Sequence, residues 1–336
     1  MRYTLITLLG LIRASNAGFN VGLDIDGIWT AALSKLDSSH TTPGDIGLYL
    51  WVDSELTGEN TSGLLQKLEG TMSSSRGWSD CVGMEVGWII VGTISAARRR
   101  GSIAAVTILN DLVQSVCSQY VSNSGLLFHS RTLNSRRRFP NFATEIYNVY
   151  ALCSAAQFLE DERLLTVARQ IADRLLALQL PCGGWPWLYD AERGSVVERY
   201  EIYSVHQDGM APMALLKLSE LSGEIKYAQA AFKGVDWLYS SNELNYNMVD
   251  EKDGFICRSI RRRKPFNILL NGANTSLSIL NFQSDVANGQ FLEINSTCRP
   301  YCLGWILFAW AGKEHGSAAS RTESMEVYPD APDIVP

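Results

Sequence analysis

The chain has 336 residues, of which 46% are hydrophobic and 19% are charged, and its formal net charge at pH 7 is −6. This composition predicts a soluble globular protein with a large core and excludes a fibrous or largely disordered chain. The acidic balance argues against nucleic-acid binding, and no apolar run reaches the roughly 18–20 residues that a membrane span needs. We therefore expect one domain over residues 1–320 and a disordered, acidic, proline-containing tail at 321–336.

The first predicted element is the apolar stretch Tyr3–Ile12, for which two interpretations remain open. Its pattern fits the first amphipathic helix of the domain, which implies a cytoplasmic protein. The stretch, with Ser15-Asn16-Ala17 behind it, also fits a signal peptide near residues 1–17, which implies secretion. Arg13 directly behind the apolar residues favours the helix, so we expect a cytoplasmic location.

Two features contain metal-ligating residue types without completing a metal site. Asp24-Ile25-Asp26-Gly27 lacks the further oxygen ligands of a calcium loop, so a helix cap before Ile28–Leu36 is the simpler interpretation. The seven cysteines are scattered, with no Cys-x-x-Cys pair and no histidine at ligand spacing. We therefore predict no metal site and reduced, mostly buried cysteines.

The middle of the chain predicts a helical hairpin that is repeated. The apolar segment Phe142–Leu159 is followed by the amphipathic segment Leu164–Leu178. A shift of 63 residues lays this hairpin on a second one and places Glu145 on Asp208. A shift of 60 residues in the other direction places Glu145 on Glu85. Each acid stands at or near the start of an apolar helix, so three repeats carry a carboxylate at one level.

Short glycine-led segments separate the predicted hairpins and are typical of a turn with a brief extended piece: Gly125–His129, Gly183–Trp187 and Gly254–Arg258. The last predicted helix is Leu303–Ala311. A unit of about 60 residues that cannot bury its own apolar face must stack on neighbours, and closing the stack into a ring removes its exposed ends. The sequence therefore predicts an all-α protein, an α/α toroid of about five to six helical hairpins with short extended loops at one rim.

Alternating helices with glycine-aromatic loops at one rim resemble the α/α toroids of two groups of proteins. One group contains six-hairpin glycosidases, sugar epimerases and uronate-processing lyases. The other contains terpenoid cyclases and related prenyl-processing proteins. Residues Gln179–Trp185 have the Gln-x-x-x-Gly-x-Trp form of the cyclase QW repeat, but the element occurs convincingly once, and the Asp-x-Asp-Asp and Asp-Asp-x-x-Asp motifs are missing. The first group is therefore favoured, and the resemblance implies no organic cofactor.

The resemblance places the ends of the inner helices around a central bowl, where the three equivalent acids would form an acid/base set. Carboxylates held in a partly apolar bowl acquire different pKa values, so that one serves as general acid and another as base or nucleophile. The predicted catalytic residues are these acids and a histidine, namely Glu85, Glu145, His206 and Asp208. The alternative is a helix cap for each acid and a structural role for the histidine.

A dense mixture of aromatic and polar residues follows the second glycine-led segment and is typical of sugar sites. Aromatic faces stack on the apolar face of a pyranose, while polar groups bind its hydroxyls. Arginines further along the chain offer forks for a carboxylate or phosphate, with a salt bridge at a helix end as the alternative. The predicted substrate-binding residues are Asp45, His129, Asn141, Trp185, Trp187, Tyr203, Gln207, Arg258, Arg299 and Tyr301.

These features predict a carbohydrate-active enzyme, which is a hydrolase, lyase or epimerase that acts on an oligosaccharide or glycan in the bowl. Two alternatives stay open: a terpenoid cyclase-like or prenyl-processing toroid, and a non-catalytic scaffold that binds a glycan or peptide. The expected partner is a small-molecule or glycan substrate, without nucleic acid, and the oligomeric state is left open.

Overall fold

A computed structural model of the protein describes residues 1–36, 41–73, 81–132, 134–263 and 291–313. The tail predicted at residues 321–336 lies outside this part of the chain. The helices of the described part are α1 (Arg2–Asn16), α2 (Ile25–Leu33), α3 (Pro43–Glu55), α4 (Thr61–Met72), α5 (Gly83–Arg100), α6 (Ile103–Ser115), α7 (Phe142–Leu159), α8 (Glu162–Leu178), α9 (Ala211–Ser222), α10 (Ile225–Asp236) and α11 (Pro300–Trp310). A π-helical turn, Val116–Tyr120, follows α6, and a second one, His206–Met210, precedes α9.

The odd-numbered helices form a closed inner ring. Helix α1 packs against α3, α3 against α5, α5 against α7, α7 against α9, α9 against α11, and α11 against α1. Helices α2, α4, α6, α8 and α10 each pack outside the inner helix that precedes them. The first residues of the inner helices meet at one end of the ring, where Arg2 of α1 contacts Asp45 of α3 and Glu85 of α5. The predicted α/α toroid is confirmed.

Short strands form three small antiparallel sheets in the connecting loops. Strands β1 (Leu188–Asp190) and β2 (Ser195–Glu198) form a hairpin, as do β4 (Val249–Asp250) and β5 (Phe255–Ile256). The third sheet has the order β3 (Ile202–Tyr203), β6 (Ser259–Arg262) and β7 (Leu292–Asn295). Strand β3 leads directly into the π-helical turn before α9, so this sheet fixes the loops at the start of that inner helix.

Side-chain caps explain where several helices begin. Thr42 and Asp45 form a reciprocal capping box at the start of α3, with Pro43 at its first position. Asn141 caps α7 by accepting the backbone N–H of Thr144 at 3.0 Å. Asp24 caps α2 by accepting the backbone N–H of Gly27 at 2.9 Å, as the simpler interpretation of that acidic motif predicts.

Residues 2–16 form the first inner helix of the ring, in which Leu5 and Leu8 have no exposed surface. The same apolar cluster extends from Leu5 to Ala309 of the last helix. All seven cysteines are free thiols. Among the residues that the structure describes, no helix combines the length and the apolar character needed to cross a membrane.

Glycines allow α1 and α11 to approach each other backbone to backbone. A Cβ atom at Gly304 would lie 2.7 Å from the carbonyl oxygen of Ile6 and 2.7 Å from the Cα of Thr7. Both are backbone atoms of α1, so relief requires the helix itself to shift. Gly10 of α1 faces Gly304 in the same way. This contact joins the two ends of the chain and closes the ring.

We expect Gly304→Ala to lower the free energy of unfolding by about 1–3 kcal/mol, because an added methyl group overpacks the α1–α11 contact. Urea denaturation measures the change. The matched control is Gly63→Ala in the outer helix α4, where an added Cβ meets no atom within 4 Å. There, helix propensity predicts a gain of up to about 1 kcal/mol. Equal effects of the two substitutions would show that the close approach is unimportant.

Candidate active site

The starts of the six inner helices surround one end of the toroid axis, which we call the bowl. Stacked rings of Tyr3 and Tyr301 join the starts of α1 and α11, with centroids 4.2 Å apart. Trp88 of α5 contacts Tyr147 of α7 at 5.4 Å between ring centroids, and Tyr147 contacts Trp305 of α11 at 5.4 Å. The floor of the bowl is therefore aromatic and contains side chains from three inner helices, α5, α7 and α11, with the tyrosine pair at the rim.

Asp208 is a buried carboxyl group without a partner. Its exposed fraction is 7%, and neither carboxyl oxygen has a hydrogen-bond partner in another described residue. Burial raises the pKa of Asp208 well above its usual range. The indole N–H of Trp310 donates to the backbone carbonyl of Asp208 at 2.6 Å, which fixes this residue against α11. A buried acid that forms no hydrogen bond with another described residue is a candidate functional group.

His206 is the first residue of the same π-helical turn, two residues before Asp208, and lies in an aromatic box. Its ring is parallel to Trp187 at 6.1 Å and lies 4.8 Å from Phe142 and 5.2 Å from Tyr203, measured between ring centroids. Burial lowers the pKa of His206 to about 3. Its imidazole is therefore neutral at pH 7, whereas the carboxyl of Asp208 holds its proton to a higher pH than a free acid.

Glu85 and Asp45 share the guanidinium of Arg2. Asp45 accepts from Arg2 Nε at 2.6 Å, and Glu85 pairs with the Nη2 atom of Arg2 and accepts from the Thr42 hydroxyl at 3.2 Å. Burial raises the pKa of Glu85, and Arg2 partly offsets this effect. The Arg2 guanidinium also lies 5.3 Å from the ring centroid of Trp88. Both acids therefore lie at the bowl, held by an arginine from the first helix.

Glu145 lies elsewhere, although its helix position matches that of Glu85. It has no exposed surface, and both of its oxygens accept the backbone N–H of Leu127 at 3.1 Å. Burial raises the pKa of Glu145 well above its usual range. The carboxyl group thus binds the backbone of the loop between α6 and α7, a structural role that differs from the helix cap considered as its alternative.

Trp185 is also inside the protein, with no exposed surface and its ring stacked on Phe142 at 5.3 Å. Gln179 of the same QW-like element donates from its side-chain amide to the carbonyl oxygens of Gly183 at 2.8 Å and Ala230 at 3.0 Å. This element therefore ties the end of α8 to α10. Gln179 and Trp185 therefore both have contacts inside the fold, although the indole nitrogen of Trp185 has no hydrogen-bond partner among the described residues.

Arg258 and Tyr203 form the wall of the bowl next to His206. The guanidinium carbon of Arg258 lies 5.2 Å from the ring centroid of Tyr203, and its Nε is buried without a hydrogen-bond partner. No carboxylate within the described ranges pairs with Arg258. The phenol of Tyr203 donates to Glu201 at 3.1 Å, and Glu201 also accepts from Ser259 and from Asn295. Glu201 thus fixes Tyr203 to strands β6 and β7.

The remaining predicted residues have mixed placements. Arg299 donates to the Tyr3 hydroxyl at 3.1 Å beside the stacked tyrosines, so Arg299 and Tyr301 lie at the rim. Gln207 is fully buried and its amide donates to the carbonyl of Tyr203 at 3.2 Å. Asn141 caps α7. Burial lowers the pKa of His129 to about 4, and its backbone N–H and C=O join neighbouring loops.

Sequence reasoning missed Arg2, Trp88, Tyr147 and Trp305 as residues of the bowl. Their shared feature is a position within the first two turns of an inner helix. That position was the available signal, but the aromatic residues in it are indistinguishable from core residues by type. In the described part of the chain, no group of three or more His, Cys, Asp or Glu side chains is placed to hold a metal ion.

Comparison with known proteins places the fold. No protein-family profile and no curated protein sequence matches the chain. A sugar epimerase from a ruminal bacterium is similar in structure, with a TM-score of 0.61 and 11% identity over 91% of this chain and 86% of that one. A GH76 α-mannanase from Bacteroides thetaiotaomicron has a TM-score of 0.56 and 14% sequence identity, and the match covers 87% of this chain and 96% of the mannanase. A possible GH105 family member from Salmonella enterica has a TM-score of 0.61 and 11% sequence identity, and the match covers 91% of this chain and 81% of that protein.

These identities are low, so the similarity concerns the arrangement of the chain rather than the residues of the bowl. The aligned regions cover most of both chains in each case. The observed ring of inner helices surrounded by outer ones agrees with this similarity. The chain therefore shares the α/α-toroid fold with these solved structures.

Proposed function

We propose that this protein is a carbohydrate-active enzyme that carries out acid/base chemistry on a glycan in the bowl. The observation that carries the proposal is the unpartnered carboxyl group of Asp208, buried beside an aromatic floor. Leaving both oxygens of a buried acid unsatisfied is costly for the protein alone, and such costs are typical of functional sites.

The environments of Asp208 and His206 divide the two roles of proton transfer. Burial keeps the proton on Asp208, so we assign it as the general acid, and burial keeps the imidazole of His206 neutral, so we assign it as the group that accepts a hydrogen bond or proton from the substrate. Titratable groups whose pKa values are pushed apart in one site are characteristic of acid/base pairs. Glu85, whose charge is balanced by Arg2, is the second carboxylate of the proposal.

The aromatic residues suit a sugar. Trp187 and Tyr203 are partly exposed beside His206, and their rings offer faces for the C–H groups of a pyranose. The epimerase and mannanase with this fold are named for reactions on sugars. Hydrolysis, elimination and epimerisation all need a proton donor and a proton acceptor. The proposal is therefore acid/base chemistry on a sugar, and a substrate screen decides among the three reactions.

The test is a thermal-shift screen with neutral oligosaccharides, uronosaccharides and isoprenyl diphosphates. A ligand that binds only the folded state at 100 times its Kd stabilises it by about 2.7 kcal/mol. We expect a saccharide to raise Tm, and the shift to be lost in His206→Ala. Stabilisation by isoprenyl diphosphates alone would replace the proposal with the cyclase-like alternative. Binding of a saccharide without turnover would leave the non-catalytic scaffold.

Arg258 provides a prediction about the charge of the substrate. Because its buried Nε has no partner, we expect it to bind an acidic group on the sugar. In the same screen, uronosaccharides should give a larger shift than neutral sugars of equal length. Arg258→Met should remove that difference, which is about 1–3 kcal/mol for a charged hydrogen bond, and leave binding of neutral sugars intact. An equal loss for both classes would contradict the role.

A further inference from the structure

Four basic side chains converge at the end of the toroid opposite the bowl, which we call the lower mouth. Arg13 lies in the last turn of α1, Arg98 in the last turn of α5, Lys217 on α9, and Lys313 just after α11. These elements belong to four different segments of the inner ring. Only the closure of the ring brings them together, so the sequence gives no sign of the cluster.

Two of the four cations lie over an aromatic pair, which we call the plug. The plug consists of Tyr150 of α7 and Phe308 of α11, whose ring centroids lie 6.0 Å apart. The guanidinium carbon of Arg13 lies 5.2 Å from the Phe308 centroid, and Lys217 Nζ lies 5.9 Å from the Tyr150 centroid. Two positive charges from different helices therefore cover the same pair of rings.

No acid pairs with these cations. Within the described residues, Arg13, Arg98, Lys217 and Lys313 form no ion pair within 4.0 Å, although Glu55 and Glu220 lie on the same side of the ring. Lys217 donates a 3.0 Å hydrogen bond to the side chain of Gln157.

Helix capping does not explain the cluster either. The adjacent arginines bind backbone carbonyls at the end of α3, as capping residues do. Arg99 donates to the carbonyl of Leu56 at 3.1 Å, and Arg100 donates to the carbonyl of Gly58 at 2.8 Å. Arg13 and Arg98 form no such bond among the described residues. Their guanidinium groups contact aromatic faces instead, with Arg98 lying 5.6 Å from the ring centroid of Phe158.

The charges of the cluster act on one another. Burial lowers the pKa of Lys217, and the positive charges of Arg98 and Arg13 lower it further, against the opposing effect of Glu220. Burial likewise lowers the pKa of Lys313, an effect that Glu220 opposes and to which Arg13 and Lys217 add. Four like charges held close together, with Glu220 acting on them only from beyond ion-pair distance, create a positive potential that attracts an anion.

We infer that the lower mouth is a binding site for a multivalent anion of the phosphate class, separate from the bowl. Four donors from four segments of the ring, beside an edge-to-face aromatic pair, suit an anion with several oxygens better than a single carboxylate. Such an anion would join the ends of α1, α5, α9 and the segment after α11, and so stabilise the closed ring. This inference does not depend on the proposed function.

The experiment is a thermal-shift titration of the full chain with sodium pyrophosphate, compared with sodium chloride at equal ionic strength. We expect pyrophosphate at 100 times its Kd to raise Tm by roughly 3–5 °C more than the chloride control. Lys217→Met and Arg13→Met should each lose most of this shift. Without pyrophosphate, both variants should melt at or above the wild-type temperature, because each removes a repelling charge. A variant that fails to fold is thereby distinguished from one that has lost the site.

Lys252→Met is the matched control, since Lys252 is an exposed lysine on the β4–β5 turn and its variant should keep the full shift. Arg258→Met should keep it as well, which separates the lower mouth from the bowl. A parallel titration with glucose 6-phosphate distinguishes a sugar phosphate, which would give the larger shift, from an inorganic anion, which would give the smaller one. No shift beyond that of chloride, or a shift retained in both lower-mouth variants, would overturn the inference.

Discussion

Asp208→Asn is expected to reduce kcat/KM for the glycan substrate by about 10²–10⁴-fold, the range associated with loss of a general acid. The amide has nearly the shape of the protonated carboxyl group, but it cannot deliver a proton to the substrate. Its backbone carbonyl still accepts the indole N–H of Trp310, so the π-helical turn keeps its place. The measurement is steady-state turnover of the saccharide that the thermal-shift screen identifies.

The stability of the same variant separates a chemical role from a structural one. Because the folded-state pKa of Asp208 is raised, the folded protein binds a proton that the unfolded chain releases above about pH 4. In the wild-type protein, this term lowers stability as the pH rises towards the folded-state pKa. Asp208→Asn removes the term, so its free energy of unfolding at pH 8 should equal or exceed that of the wild type in urea denaturation.

Glu145→Gln provides the comparison within the repeat, because Glu145 occupies the equivalent helix position but is bound to the Leu127 N–H away from solvent. We expect this variant to keep most of its turnover once corrected for the folded fraction. If Glu145→Gln loses turnover and Asp208→Asn keeps it, the assignment of the general acid is wrong.

Local signals in the sequence predicted the helices well. Phe142–Leu159 matches α7 residue for residue, because Asn141 caps its start and Glu160 takes a left-handed conformation at its end. The last inner helix begins at Pro300 rather than at the predicted Leu303, since proline is well suited to the first turn of a helix. The periodic apolar stripes were sufficient to predict the ring of hairpins, because each hairpin has an apolar face that it can bury only against its neighbours.

The repeat predicted where along their helices the three acids lie, but not which way their side chains point. Glu85 and Glu145 stand in the first turn of an α-helix, whereas Asp208 lies in a π-helical turn, which accommodates an additional residue and changes how side chains project around the axis. A backbone N–H from a loop then holds Glu145, while no equivalent group reaches Asp208. Such partners come from distant segments, so a comparison of repeats cannot supply them.

Residues brought together by closure of the ring were the hardest to predict. Arg2 contacts Asp45 and Glu85 only because α1, α3 and α5 start at the same end. Tyr3 and Tyr301 belong to opposite ends of the chain and stack because α1 packs against α11. Composition and spacing contain no information about these pairs, since their contacts are set by tertiary structure.

The largest effect on stability is expected at the ion pair between Glu198 of β2 and Arg262 of β6. Their N–O distance is 2.6 Å, and the side chains are only 3% and 5% exposed. Arg262→Met leaves a buried carboxylate without its guanidinium partner, which typically costs 3–5 kcal/mol in proteins. We expect a loss of about that size in the free energy of unfolding, measured by urea denaturation, with the sheet that supports Tyr203 as the affected region.

The adjacent residue Arg261 offers a matched control on the same strand. Its ion pair with Glu293 has an N–O distance of 2.8 Å but is about one-third exposed on both sides, so solvent screens it. Arg261→Met should therefore cost no more than about 1 kcal/mol. The double variant Glu198→Met/Arg262→Met should recover most of the stability, because both charges of the buried pair are then replaced by apolar side chains. If the double variant is as unstable as Arg262→Met, packing around Tyr200 rather than the unpaired carboxylate causes the loss.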